Sequence, residues 1–188
     1  MTRAPTGVTL IEVLIGLVLG LGAFAALTAL VSGSLAARAR AGAGAEALAA
    51  TASAIDQIVR DVRLAGYDPL ERGLAGMVAP APASLVIQAD LDGNGTIDGS
   101  SEERITYRSS AATGSLLRIV GTQSMPLLSN LAPGGFRLRY FDASGSELDP
   151  ATPAATDAIR AVTVDLQTLP NGTIPGVRMG GGARLLNR

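Results

Sequence analysis

The chain contains no cysteine. Disulfides, thiol catalysis and a lipid-attachment cysteine are therefore excluded, while the compartment stays open because exported proteins need not carry disulfides. Histidine and lysine are missing as well, so all fifteen basic residues are arginines. Without these residues a Ser-His-Asp triad, a histidine metal site and a Walker A phosphate loop cannot be built. Charge is sparse: 16% of residues are charged and the net charge is −1. The arginines are scattered, so no basic run points to nucleic acid, and a solvated mixed surface is expected.

Apolar residues, by contrast, make up 47% of the 188. That composition suits one membrane helix plus one modest domain. Residues 7–31 read GVTLIEVLIGLVLGLGAFAALTALV, with Glu12 as the only charge. A helix from Val8 to Val31 would measure about 36 Å, enough for a hydrocarbon core of about 30 Å. Seven residues precede it, and Arg3 is their single charged side chain. That is too short for the separate basic and apolar regions of a secretory leader, so the apolar segment is expected to stay on the mature protein. Arg38 and Arg40 follow the span while Arg3 precedes it, so the positive-inside rule selects no orientation.

An ionised Glu12 inside a bilayer costs on the order of 2.5 to 3.5 kcal/mol at mid-depth, and less near the interface. Two partners fit it. Thr9-Leu10-Ile11-Glu12 matches the S/T-x-x-E capping box, in which the glutamate receives a backbone N–H at the helix start. Alternatively, cleavage after Gly7 would give Val8 a new amino group at helical i, i+4 spacing from Glu12. Pairing within one helix would satisfy a monomer. Pairing with the next subunit would set the register of a helical stack, since a lone charge in an apolar bundle disfavours wrong offsets.

The run Gly7-Val8-Thr9-Leu10-Ile11-Glu12, followed by an unbroken apolar stretch, resembles the class III signal of type IV prepilins and type II secretion pseudopilins. The resemblance implies cleavage after Gly7 by a membrane prepilin peptidase and methylation of the new amino terminus at Val8. It also implies that Glu12 contacts a neighbouring subunit's amino terminus. Phenylalanine is usual where Val8 stands. The helix-kinking proline of many major pilins is replaced by Ala29, so no bend is expected there. Major pilins often close their C-terminal region with a disulfide, so the lack of cysteine favours a minor pilin or pseudopilin.

Beyond Val31 a helical pattern continues to about Gly66, with Ile55, Ile58, Val59 and Val62 on one face. The opposite face is read as Asp56, Gln57, Arg60, Asp61 and Arg63, with Asp56 and Arg60 placed for an i, i+4 pair. Gly66 before Tyr67-Asp68-Pro69 is the expected stop. A continuous helix from Val8 to Ala65 would reach about 87 Å, more than a small domain can bury. The first half is thus expected against lipid or other copies, the second against its own domain. The glycines at 16, 20, 22, 33, 42 and 44 suit either close helix approach or a loosened helix.

From Ala79 the pattern changes to short alternating runs. Strands are expected at Ser84–Gln88, Arg104–Arg108, Leu116–Val120, Phe136–Asp142 and Ile159–Thr168, a hairpin turn at Asp142–Gly145, and a loose Gly-rich region over Pro170–Gly182. Alternation within Phe136–Tyr140 and Val162–Gln167 predicts a mostly antiparallel sheet with one buried face, on which the helix sits. The fold class is therefore α+β. Its segments are 1–7 (leader), 8–31 (membrane and assembly half of the helix), 32–66 (amphipathic half) and 67–188 (β-rich domain). Residues 60–67, RDVRLAGY, resemble the R-D-L-R-x-A-G-Y segment of PilW-type minor pilins, and the stretches around Tyr107 and Tyr140-Phe141-Asp142 resemble the same group.

Asp90-Leu-Asp92-Gly-Asn94-Gly95-Thr96-Ile97-Asp98 repeats the first nine positions of an EF-hand loop. Asp90, Asp92, Asn94 and Asp98 supply side-chain oxygens, Thr96 a backbone carbonyl, and Gly95 the turn. Position twelve is Ser101 rather than a bidentate glutamate, with Glu102 and Glu103 one and two places late, so a weak Ca2+ site is one reading. A solvated acidic turn is the other.

Three function classes follow. One is a pilus or pseudopilus subunit that enters a filament through its N-terminal helix, in the initiation or tip complex, with no required cofactor. Its partners are other subunits, the prepilin peptidase, an inner-membrane assembly platform and the bilayer. Its domain would face the periplasm before assembly. The second is a single-span membrane protein with a periplasmic binding domain and no filament. The third, an enzyme, would rest on Glu102, Glu103 or serine hydroxyls, and no spacing supports it.

Overall fold

The computed structural model describes residues 7–152, 155–172 and 174–187, so residues 1–6 of the expected leader lie outside the described residues. Helix α1 covers Leu10–Leu64, 55 residues. The leucine- and alanine-rich composition favours helix throughout. The helix runs unbroken through its six glycines. The first five have no neighbour within 4 Å of an added Cβ, so within the chain they serve no packing contact.

The chain divides into two compact units that meet between Ala43 and Gly44. In the first, every described residue from Gly7 to Gly42 is exposed. This segment is long and apolar enough to cross a membrane. An apolar surface of that size demands cover from lipid or protein.

The second unit holds two antiparallel sheets. The first, in spatial order, is β1 (Met77–Ala81), β2 (Ser84–Gln88), β3 (Arg104–Ser110), β4 (Ser115–Val120) and β5 (Gln123–Leu128). The second comprises β6 (Leu131–Phe141), β7 (Glu147–Leu148), β8 (Ala161–Thr168) and β9 (Arg178–Arg184), in the order β7-β6-β8-β9. A one-turn helix, α2 (Ala155–Ala158), precedes β8. The class is α+β, with two sheets in place of the single sheet expected. After Asn130, held in the left-handed region at φ 56°, the chain starts β6 in the second sheet instead of pairing it with β5.

Ile55, Ile58 and Val62 of α1 share one core with Leu85, Tyr107 and Leu116 of the first sheet and Phe136, Tyr140 and Val164 of the second. A large ring buries apolar area but needs its hydroxyl satisfied. Tyr140 Oη donates to Ala81 O at 2.9 Å, tying β6 to the β1–β2 turn. The segment read as a loose tail contains a strand. In β9 Gly181 lets α1 approach, since a Cβ there would lie 2.3 Å from Ile55 Cγ2.

The stop of α1 is built by three devices. Gly66 takes φ 78° and donates its N–H to Gln88 O at 2.9 Å. Tyr67 N–H closes on Leu64 O at 3.0 Å. Asn187 Nδ2, from the other end of the chain, donates to Arg63 O and Leu64 O, carbonyls for which a helix end supplies no i+4 N–H.

Candidate functional site

At the front of α1 the capping box forms. Thr9 donates to Glu12 Oε2 through both its backbone N–H (3.0 Å) and its hydroxyl (2.9 Å). Glu12 N–H reaches back to Thr9 Oγ1 at 3.4 Å. The carboxylate is thereby hydrogen-bonded, yet no cation among the described residues neutralises it. Val8, beside it, is 74% exposed, and Gly7 is exposed too.

The acidic loop between β2 and β3 is ordered by its own carboxylates. Asp90, fully buried, accepts Gly93 N–H (2.9 Å) and Asn94 N–H (3.1 Å) on Oδ1, and Gly95 N–H (2.9 Å) on Oδ2. Glu103, also buried, accepts Leu91 and Asp92 N–H on Oε1 and Asp98 N–H on Oε2 at 2.8–3.1 Å. These N–H donors, first from Asp98 and Asp92, hold the Glu103 carboxyl below its ordinary range.

One oxygen each from Asp90, Asp92 and Glu103 lies within 4.8 Å of the others. Oxygens bound to one Ca2+ at about 2.3 to 2.6 Å lie no farther apart than about 5 Å, so this trio could hold such an ion. The spacing-based set is brought together only in part. Asp98 turns to Ser100, accepting its N–H and hydroxyl at 2.8 and 2.7 Å. Asn94 Oδ1 accepts Thr96 N–H at 2.7 Å, and Ser101 Oγ donates to Asp98 O at 3.1 Å. The chain turns at 98–101 and enters β3 at Arg104, so the glutamate that closes the loop arrives two positions late.

Sequence reasoning missed a third cluster. Asp61, placed on the solvent face by its charge, is 6% exposed. It binds the Tyr107 hydroxyl, Arg118 Nε at 3.2 Å and Gln57 Nε2 at 3.0 Å. Arg118 continues through Nη2 to Glu102 Oε2 at 2.9 Å. Burial, and then the Asp61 carboxylate, raise the Tyr107 hydroxyl well above its ordinary range. Burial works against the charge of Arg118, but Glu102 and Asp61 outweigh it and the guanidinium is held protonated. The expected Asp56–Arg60 pair does not form, because Arg60 Nη2 instead donates to Gln57 Oε1 at 2.8 Å.

The acidic loop also leans on the segment after α1. Asp90 N–H donates to Tyr67 O at 2.8 Å, and a Cβ on Gly93 would lie 3.6 Å from Pro69 Cγ. Helix end, acidic loop and the Asp61–Arg118–Glu102 network thus form one connected polar region. Comparison with models of known families and with curated proteins gives no match to this chain.

Proposed function

We propose that the chain is a structural subunit of a type IV pilus or type II secretion pseudopilus, a minor pilin or pseudopilin cleaved between Gly7 and Val8. The observation that carries this reading is α1 itself. One half exposes a continuous apolar surface whose only charge up to residue 37 is Glu12, and the other half is built into a folded domain. Such a helix supports storage in the inner membrane with the domain in the periplasm, followed by transfer into a bundle of like helices. The proposed partners are other subunits, the prepilin peptidase and the assembly platform, and methylation falls on Val8. The domain provides a scaffold rather than a reaction centre. In the same reading the loop at Asp90, Asp92 and Glu103 takes a Ca2+ ion that stiffens it.

The capping box favours a second reading, a single-span anchored binding protein, because Thr9 gives Glu12 hydrogen bonds without a neighbour. Intact-mass analysis of chain made with and without a prepilin peptidase separates the two. Loss of the first seven residues and gain of one methyl group, only with the peptidase, is the expected result. A chain still beginning at Met1 in its presence would overturn the filament reading.

A further inference from the structure

The outer face of the second sheet gathers charge that the sequence scatters. Arg137 and Arg139 of β6 and Arg178 and Arg184 of β9 are all exposed, and they share this face with Thr163, Asp165 and Gln167 of β8. The acidic residues there are Asp165, which pairs with Arg139 at 3.7 Å, and Glu147 at the far corner beside Phe141. Gly180 and Gly182, opposite Asp165 and Thr163, leave the surface low between the arginines. Beside them lie two contiguous hollows, of about 170 and 680 Å³, that share Gly134, Arg137, Asp165 and Arg178. The Arg178 side chain makes no hydrogen bond or ion pair among the described residues, and Thr163 Oγ1 is buried without a partner.

We propose that this trough binds the sugar-phosphate backbone of single-stranded nucleic acid. Arg137 and Arg178 leave the backbone two strands and two residues apart, about 12 Å by sheet geometry, and both line the two hollows, so their charge is spread along the trough. A polymer with a charge on every repeat meets both. Guanidinium forks suit phosphate, and the low glycine surface lets a backbone lie close. Phe141 continues the row Arg137, Arg139 on the same face of β6, half-buried, and offers an unpaired base a ring to stack on. A basic groove with an aromatic platform is what sequence-tolerant single-strand binding needs. A flat lipid surface would touch the rim of a trough rather than its floor, and an acidic peptide would gain nothing from the ring.

The test uses the full chain in uncharged detergent micelles, with a labelled mixed-sequence 20-nucleotide DNA read by fluorescence anisotropy at several salt concentrations. Three neutralised phosphates give a slope of log K against log salt of about −2. Arg137→Gln with Arg178→Gln brings that slope to about −0.7. Phe141→Leu weakens binding by about tenfold with the slope unchanged. Arg108→Gln, on the other sheet, leaves both unchanged, and equal melting temperatures confirm that the variants fold. No anisotropy change at the lowest salt would overturn the proposal. So would equal competition by polyglutamate, binding confined to phosphatidylglycerol vesicles, or a slope indifferent to the arginine substitutions.

Discussion

Arg118→Met isolates what joins α1 to the first sheet. Arg118 is 8% exposed, and its guanidinium lies between two carboxylates of different standing. Glu102 keeps 64% of its side chain in solvent, so that outer pair contributes about 0 to 1 kcal/mol. Asp61 is buried, and stripping a buried charge of its counter-ion costs about 3 to 5 kcal/mol. Tyr107 and Gln57 still donate to Asp61 after the change, which places the expected loss at the lower end, about 3 kcal/mol. For a unit of about 145 residues that lowers the melting temperature by roughly 10 °C. Near-UV circular dichroism of the full chain in micelles reads it through buried Tyr107 and Tyr140. The triple variant Asp61→Leu, Tyr107→Phe, Arg118→Met removes charge and partners together, and it should recover most of the loss because no buried polar group is left alone. A loss below about 1 kcal/mol for Arg118→Met, or a triple variant less stable than the single one, would refute this account of the network.

Calcium at 5 mM is expected to stabilise the full chain by about 1.4 kcal/mol if the loop binds with a Kd near 0.5 mM, as in weak extracellular sites. Differential scanning calorimetry reads the shift, which Glu103→Gln should abolish and Ser101→Ala should leave intact. Gly181→Ala forces a Cβ to within 2.3 Å of Ile55 Cγ2, and the overpacking should cost about 1 to 3 kcal/mol in a urea melt. The carboxyls of Glu103, Asp98 and Asp142 are held below their ordinary range by N–H and hydroxyl donors. Their contribution is complete above about pH 5 and is lost as pH falls through the lowered folded values. Stability should therefore be flat from pH 6 to 8 and decline below pH 4, with a shallower decline in Glu103→Gln.

Where local pattern and tertiary environment agree, the sequence was legible. Five strands and both ends of α1 fall within a few residues of expectation, because period-two alternation and a terminal glycine act locally. It failed where a distant partner decides. Asp61 reads as solvent-facing by charge, but Ala54 and Ala65 widen the buried stripe toward it, and Arg118 lies 57 residues away. The glycines of β9 suggest a loose tail, yet Gly181 is small because α1 crosses above it. Glu103 was visible as a late glutamate, but only the turn at 98–101 explains how it closes the loop. The arginine face was illegible because its members come from separate strands.

Two acidic residues of α1 stand in apolar surroundings, and they are answered differently. Asp61 meets a guanidinium inside its own domain. Among the described residues Glu12 meets only Thr9, whose donors hydrogen-bond its carboxylate without cancelling its charge. Hydrogen bonding alone leaves an anion that is costly inside a bilayer or a helix bundle. Glutamine fills the same place in a capping box, so Glu12→Gln keeps the helix start while removing the charge. If capping is the whole role of Glu12, the variant should behave like the native chain. If the new amino group of Val8 on a neighbouring subunit is its partner, the variant should still be cleaved after Gly7 and still reside in the membrane, yet fall out of sheared filaments by tenfold or more. Immunoblots of the filament and membrane fractions read the ratio, and equal incorporation of the variant and native chains would end the case for a charge-set register.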